Sequence, residues 1–191
     1  MKTALLFGSS GLVGGYLLNQ LIKDNNYSKI KLFVRSIPEI NHSKVEIIKT
    51  DFNNLTNHKK NIIGDDCYFC IGTTKQNSPD KKEYRRVELE IPKEIAQIAK
   101  SNSLNSFVFV SSGYADPKSS SDYLKFKGEV EEELKRLSFP KLGIVRPSFL
   151  LGERKEKRAV EKLGIFIFKL LSPLLVGPLK KMKPIHSEIV A

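Results

Sequence analysis

The feature that most constrains this sequence is a set of three glycines spaced three residues apart, Gly8, Gly11 and Gly14. An apolar stretch of strand length precedes them, and apolar residues at helical spacing follow them. At a strand-to-helix junction Gly8 permits a tight turn, Gly11 lets a phosphate approach bare backbone, and Gly14 lets the helix pack close to its strand. The helix N-terminus offers unpaired N–H groups to an anion. We therefore expect a dinucleotide site, the alternative being a glycine-rich turn that binds nothing.

The residues that end the second predicted strand indicate which dinucleotide is bound. The stretch 29–36, KIKLFVRS, ends in Arg35 and Ser36, where an NAD site usually has an aspartate or a glutamate. A guanidinium pairs with a phosphate, whereas a carboxylate repels it. Arg35 as a clamp for a ribose 2′-phosphate, with Ser36 beside it, favours NADP(H) over NAD. The alternative is a solvated arginine at the end of a strand.

Strand-like and helix-like segments alternate along the chain, which is typical of a parallel sheet with helices on both faces. The predicted class is α/β, a doubly wound parallel sheet in one domain over residues 1–191, with an apolar C-terminal helical segment. Residues 153–191 are expected to form its substrate side. Further strands are expected within 44–55 and at 67–74 and 106–112, and helices at 81–102, bent at Pro92, and at 122–137.

Two of these strand ends carry residues suited to a nucleotide, because ligands of such sheets lie outside the carboxyl ends of the strands. Asp51, after the third strand, can accept a hydrogen bond from an adenine amino group, unless it only caps a turn. Gly72 and Thr73, at the end of the fourth strand, are expected to face the middle of the cofactor.

The fifth strand and the helix after it carry a candidate catalytic group. The strand SFVFVSS ends in two serines, of which alternation lets only one face the site; Ser112 is the first choice and Ser111 the reserve. Tyr123 and Lys127 are four residues apart and share one helical face. A phenol ordinarily titrates at about pH 10, and a neighbouring ammonium makes it a better donor to the oxygen left charged by hydride transfer. A serine hydroxyl would hold that oxygen in place.

Taken together, these motifs resemble the short-chain dehydrogenase/reductase superfamily, in its atypical branch of Tat-interacting-protein-type oxidoreductases. The resemblance runs through nearly the whole chain, in GSSGLVG, VRS, CIGTT, FVFVSS, YLKFKGEVE and VRPSFLLGERKEKR. It implies a Rossmann fold, bound NADPH, and catalysis by Tyr123 with Lys127, which also meets the nicotinamide ribose. By position it implies further cofactor contacts from Ser10, Gly11, Leu12, Val13, Arg35, Ser36, Ile71, Gly72, Leu150 and Arg158. Superfamily members often have a relay asparagine, and neither Asn102 nor Asn105 stands at its place.

Charge and cysteine content argue against other classes of protein. The net charge of +11 is spread along the chain and interleaved with acids, as at 152–162, which does not favour nucleic-acid binding. Cys67 and Cys70 lie in a strand-like run where residues three apart point to opposite faces, so two buried thiols are predicted and no metal site. Two cysteines, no apolar leader and no spanning run predict a cytoplasmic protein.

The apolar stretch 163–179 is interrupted by Lys169 and Pro173 and is expected to pack over the substrate cleft. A homodimer face and a peripheral membrane contact are the alternatives. The leading function is an NADP(H)-dependent oxidoreductase that reduces a small carbonyl-type substrate by Tyr- and Lys-assisted hydride transfer. Two other hypotheses are an NADP(H)-binding sensor or interaction module with little catalysis, and a nucleic-acid binder whose affinity falls with salt.

Overall fold

The computed structural model describes residues 1–148, 150–151 and 185–191. The main sheet contains six strands: β1 Lys2–Phe7, β2 Tyr27–Val34, β3 Val45–Lys49, β4 Asp66–Phe69, β5 Ser106–Val110 and β6 Lys141–Val145. Their order is β3-β2-β1-β4-β5-β6, and every neighbouring pair is parallel. This is the doubly wound order, in which the strand order reverses between β1 and β4. The predicted α/β class with a parallel sheet is confirmed.

Helices pack on both faces of this sheet. They are α1 Leu12–Lys23, α2 Lys81–Arg85, α3 Ile91–Ser101 and α4 Asp122–Leu137, which has the predicted bounds. Alternation along β1 puts Leu5 and Phe7 in the core under α3 and α4, and Ala4 and Leu6 in the core under α1. The described residues also form a 3₁₀ turn at Leu55–His58, a two-stranded sheet of β7 Leu150–Leu151 and β8 Ile185–His186, and a last helix, Ser187–Val190.

The strands end earlier than the sequence pattern indicates. β2 ends at Val34, β3 at Lys49, β4 at Phe69 and β5 at Val110. The polar residues assigned to these strand ends therefore lie in the loops that follow, at the same edge of the sheet. Loop backbone can turn toward a ligand, which a residue held in the ladder cannot do.

The predicted bend at Pro92 is wrong. The helical segment is instead interrupted before the proline, by a π-helical turn at Arg86–Glu90 in which the Ile91 N–H bonds the Arg86 carbonyl. Pro92 lies in the first turn of α3, where a proline ring is tolerated. The irregularity is therefore a wider helical turn, in which the hydrogen bond spans five residues instead of four, and the proline does not cause it.

Cys67 and Cys70 fall on opposite faces of the sheet, as predicted: Cys67 lies in the core under α3 and α4, and Cys70 packs against the α1 side. Burial raises the pKa of both thiols, that of Cys70 to about 12. Neither is therefore a reactive thiolate at neutral pH. The described residues contain no group of three or more His, Cys, Asp or Glu side chains placed to hold a metal ion. None of the helices in the described ranges is long and apolar enough to cross a membrane.

A buried polar cluster closes the amino end of the sheet. Asp66 accepts hydrogen bonds from Ser106 Oγ at 2.6 Å, Tyr27 Oη at 2.7 Å and Lys2 Nζ at 3.0 Å. Burial by itself would raise the pKa of Asp66, but these three donors outweigh it and hold the pKa below its ordinary value. The carboxylate therefore stabilises the folded state above the pKa of the unfolded chain. That contribution is lost as the pH falls through the lower pKa of the folded state.

Replacing Asp66 by asparagine is expected to lower the free energy of unfolding at pH 7 by about 1–3 kcal/mol, because charged hydrogen bonds are lost in a buried cluster. The difference from the wild type should begin to shrink below about pH 4, where the carboxyl of the unfolded chain takes up a proton, and should level off below the lower pKa of the folded state, where the folded carboxyl is uncharged too. Urea unfolding at several pH values measures both effects. A difference that stays constant down to strongly acidic pH would contradict the lowered pKa of Asp66.

Candidate active site

The glycine turn joins β1 to α1 and packs against the segment after β4. Gly8 has a φ of +91°, and a Cβ there would lie 2.7 Å from the carbonyl carbon of Cys70 and 2.8 Å from the nitrogen of Ile71. A Cβ on Gly14 would overlap the carbonyl oxygen of Gly8 and lie 2.8 Å from its carbonyl carbon. The tight turn at Gly8 and the close packing at Gly14 are therefore confirmed, since a larger residue fits at neither position.

The first turn of α1 has no side chain that caps it. Gly11 is the N-cap, and neither a side-chain cap nor an acidic residue is found in this turn. Its N–H groups and the positive end of the helix dipole therefore face outward, which suits an anion. Ser10 is exposed beside them. The Val13 side chain is buried and that of Leu12 is half-buried, so these two residues can contact a ligand mainly through their backbone. The turn thus fits the pyrophosphate of a dinucleotide.

Arg35 and Ser36 directly follow β2 at the edge of the sheet that carries the glycine turn. Phe7 pairs with Phe33 in the parallel ladder, so the residues after β1 and β2 emerge side by side. Arg35 and Ser36 are both exposed. Across the part of the chain that the structure describes, no carboxylate lies within ion-pair distance of the Arg35 guanidinium. The guanidinium is therefore free to bind an anionic ligand.

Asp51 lies in the turn after β3, and its carboxylate is engaged locally. Oδ1 accepts from the backbone N–H of Asn53 at 2.9 Å, and Oδ2 accepts from the Asn53 side-chain amide at 3.2 Å. The hydrogen bond from the Asn53 N–H lowers the pKa of Asp51. The next residue, Phe52, has a φ of +63° and is buried against the ring of Phe7. This geometry matches the turn-capping alternative for Asp51, and its contact with adenine stays a prediction.

A buried ion pair that the sequence analysis missed lies where the middle of the cofactor is expected. Glu88, in the π-helical turn, places Oε2 3.1 Å from Nζ of Lys127 in α4, with the two side chains 0% and 4% exposed. Lys127 Nζ also donates to the carbonyl of Val110 at 3.3 Å and lies 4.9 Å from the centre of the Phe109 ring. The ammonium is therefore held by the Val110 carbonyl at the end of β5 and by the π-helical turn that precedes β5 in the chain.

The same glutamate is tied to the loop after β4. Glu88 Oε1 accepts from the N–H of Thr73 at 2.5 Å, and Thr73 Oγ1 lies 3.0 Å from Ser78 Oγ. A Cβ on Gly72 would lie 3.5 Å from Glu88 Oε1 and 3.9 Å from Lys127 Nζ, so bare backbone borders the pair. Since the Gly8 turn abuts Cys70, the turn, this loop and the ion pair form one continuous edge.

The signal for Glu88 was present in the sequence. Glu88, Ile91 and Ile95 share one helical face, and both isoleucines are buried. A glutamate on an apolar stripe is rarely buried unless it is paired. The partner, however, comes from a helix about forty residues further along the chain, and no local pattern identifies it.

Tyr123 and Lys127 lie on one face of α4, as predicted, with Lys127 Nζ 5.9 Å from the centre of the Tyr123 ring. The two candidate serines differ in their surroundings. Ser111 is buried, and its Oγ donates to Glu131 Oε1 at 2.5 Å. Ser112 is half-buried, and its hydroxyl has no hydrogen-bond partner among the described residues. Ser112 is therefore the serine with a hydroxyl free to meet a substrate.

Three further predicted contacts lie at the margin of this site or beyond it. Leu150 belongs to β7, which pairs with β8 through Ile185 and stands outside the main sheet. Arg158 and the apolar stretch 163–179 lie outside the described residues. The roles given to these residues from the sequence stay predictions.

The chain is similar to a known family and to curated proteins of other organisms. A family described as NAD(P)H-binding matches residues 8–165. Protein HTATIP2 of Rattus norvegicus is 33% identical over 167 residues, which cover 85% of this chain and 69% of that protein. Protein FMP52-1, mitochondrial, of Scheffersomyces stipitis is 30% identical over 175 residues, which cover 88% of this chain and 76% of that protein.

Solved structures with a similar fold include enzymes and a reductase domain. The Bordetella bronchiseptica enzyme WbmH in complex with NAD+ has a TM-score of 0.71 and 17% identity, over 91% of this chain and 63% of that one. The PhqB reductase domain from Penicillium fellutanum has a TM-score of 0.72 and 16% identity, over 99% of this chain and 62% of that one. This chain spans less than two thirds of either structure, and the likeness shows the fold.

The predicted cytoplasmic location is contradicted by these relatives. The FMP52 proteins of Scheffersomyces stipitis, Meyerozyma guilliermondii and Emericella nidulans are all named mitochondrial. The prediction rested on cysteine content and on apolar runs. Those features bear on redox state and membrane insertion, and they do not distinguish one reducing compartment from another.

Proposed function

This chain belongs to the NAD(P)H-binding family, and we propose that it is an NADP(H)-dependent oxidoreductase that reduces a small carbonyl-type compound. The family match and the relatives confirm the resemblance to NAD(P)-binding proteins of the Tat-interacting-protein type that the motifs carry. The observation that supports the proposed activity is the buried Lys127 ammonium one helical turn after Tyr123, beside the loop that abuts the glycine turn.

Cofactor binding in this proposal uses the edge of the sheet described above. NADP(H) supplies a hydride donor when it is bound. The first turn of α1 would take the pyrophosphate, and Arg35 with Ser36 would take the ribose 2′-phosphate. Gly72 has no side chain to separate the cofactor from Lys127, whose ammonium would meet the nicotinamide ribose.

The proton chemistry follows from the charge that develops on the substrate. A carbonyl that accepts a hydride gains negative charge on oxygen and must be protonated. Tyr123 is half-buried and would donate that proton from its hydroxyl. The Lys127 ammonium, which faces the tyrosine ring, stabilises the phenolate that remains. Ser112 would bond the substrate oxygen and hold it within reach of the phenol.

Replacing Arg35 by alanine is expected to weaken NADPH binding by about 10- to 100-fold, the range for a lost charged hydrogen bond. NADH has no 2′-phosphate, so its affinity should change little. Fluorescence titration of the purified protein with NADPH and NADH measures both affinities. Arg136→Ala is the matched control, because Arg136 is an exposed arginine in the last turn of α4.

Three outcomes of this titration separate the claims. Tighter binding of NADPH than NADH that is lost only in Arg35→Ala supports the proposed cofactor. Equal affinities in the wild type would reject the NADP(H) preference and leave an NAD(P)-binding protein. Failure to bind either dinucleotide would reject both the oxidoreductase proposal and the sensor alternative.

A further inference from the structure

The charges of Glu88 and Lys127 depend on the titratable groups that face the pair from the elements packed against it. Other titratable groups near the pair are Tyr123 on α4, Tyr84 on α2 and Cys70 after β4. Asp122, at the start of α4, acts on Tyr84 and pairs with Lys75 at the surface. β5 contributes only the Val110 carbonyl and the Phe109 ring. Burial is the main cause that raises the pKa of Tyr84 and Cys70, so both stay neutral at physiological pH. Glu88 is therefore the carboxylate in direct contact with the ammonium.

Stability alone does not account for this pair. A buried ion pair seldom stabilises a fold more than apolar residues of similar volume. Glu88 Oε2 is 3.1 Å from Lys127 Nζ, but it makes no hydrogen bond with any described residue. Such a feature calls for a role in the site.

The need to keep the buried Lys127 side chain charged does account for the Glu88–Lys127 pair. An ammonium that is as buried as Lys127 and lacks a carboxylate partner tends to lose its proton. The neutral amine could not stabilise a phenolate on Tyr123. The carboxylate of Glu88 favours the charged form, and its second oxygen is fixed by the Thr73 N–H. Glu88 itself lies in the π-helical turn and on the face that carries the buried Ile91 and Ile95.

We propose that Glu88 is the positioning residue of the site, which keeps Lys127 charged and directed at Tyr123. Its catalytic consequence rests on the proposed function, whereas the charge state of Lys127 does not. Glu88 acts through Lys127 and needs no contact with substrate or cofactor.

The direct test is NMR of protein labelled at the lysine ε-carbons, with the Lys127 signal identified by its absence in Lys127→Arg. In the wild type this signal should report an ammonium at pH 7.5. In Glu88→Gln, which keeps an acceptor for the Thr73 N–H, the transition to the amine should move to lower pH by about two units or more. Glu88→Asp should stay close to the wild type, because it keeps the charge.

Glu90→Gln is the matched control for this experiment. Glu90 lies two residues further along the same π-helical turn and pairs with Arg85 near the surface. The Lys127 signal should be unchanged in this variant. A neutral Lys127 in the wild type at pH 7.5 would overturn the proposal without any variant. A Glu88→Gln titration that coincides with the wild type would overturn it as well.

Turnover gives the second readout. As the pH is raised, the rate of NADPH oxidation should begin to fall at a lower pH in Glu88→Gln than in the wild type. A merely structural role would lower turnover at all pH values without this shift. In a Lys127→Arg background the guanidinium stays charged without help, so adding Glu88→Gln should not move the profile. A shift of equal size in both backgrounds would contradict the proposal.

Discussion

Replacing Tyr123 by phenylalanine is expected to lower turnover by about 10²- to 10⁴-fold, the contribution of a positioned general acid. NADPH affinity should be unchanged, because the ring remains against the core and Lys127 is retained. NADPH oxidation with a panel of small aldehydes and ketones measures the first effect, and fluorescence titration measures the second. A drop in turnover without a drop in affinity places the hydroxyl in the chemical step.

The control for this variant is Tyr27→Phe. Tyr27 begins β2 at the opposite end of the sheet, and its hydroxyl bonds Asp66 at 2.7 Å. It should lose stability yet keep wild-type turnover at temperatures where it is folded. Wild-type turnover in Tyr123→Phe would reject the proton-donor role. NADPH binding without turnover of any carbonyl compound would favour the sensor alternative.

Two adjacent glycines of α1 give the second large effect, because alanine should act on them in opposite directions. A Cβ on Gly14 would overlap the Gly8 carbonyl oxygen, whereas a Cβ on Gly15 would lie 3.5 Å from the Ser9 carbonyl oxygen, an ordinary contact. Gly14→Ala should therefore lower the free energy of unfolding by about 1–3 kcal/mol. Gly15→Ala should raise it by about 0.5–1 kcal/mol, through helix propensity alone.

Urea unfolding of both variants measures this contrast, and NADPH titration shows its effect on the site. Gly14→Ala must displace the Gly8–Gly11 turn, so its cofactor affinity should fall. Equal destabilisation by the two substitutions would mean that helix geometry, and not contact with the turn, decides the cost. A stable Gly14→Ala variant would show that α1 can move away from the turn without loss.

Features set by local chemistry were predictable from the sequence. Only glycine suits the φ of +91° at Gly8, so the strand, turn and helix around it were readable. The order of charges from Asp122 to Leu137, with acids before the final Lys135 and Arg136, predicted α4 with its bounds. Four-residue spacing on that helix was enough to put Tyr123 and Lys127 on one face.

The ends of the strands and the π-helical turn were harder to predict from the sequence, because contacts with other parts of the chain decide them. β4 stops at Phe69 although apolar residues continue, since the Cys70–Ile71 segment packs over Gly8. A proline is the obvious local sign of a bend, yet the irregularity lies before Pro92. Glu88 lies in this irregular turn, and its partner Lys127 comes from α4.

By itself, the sequence determined the parallel α/β class, the glycine turn, the arginine after β2 and the Tyr123–Lys127 face. Each of these depends on residues close together in the chain, whose spacing and conformational preference are visible in the letters. Only the tertiary structure decided that Ser111 donates a hydrogen bond to Glu131 while the Ser112 hydroxyl has no partner among the described residues. It also decided that Glu88 forms an ion pair with Lys127. Those choices are made by side chains brought from distant segments into one buried space, where a charge persists only beside its counter-charge.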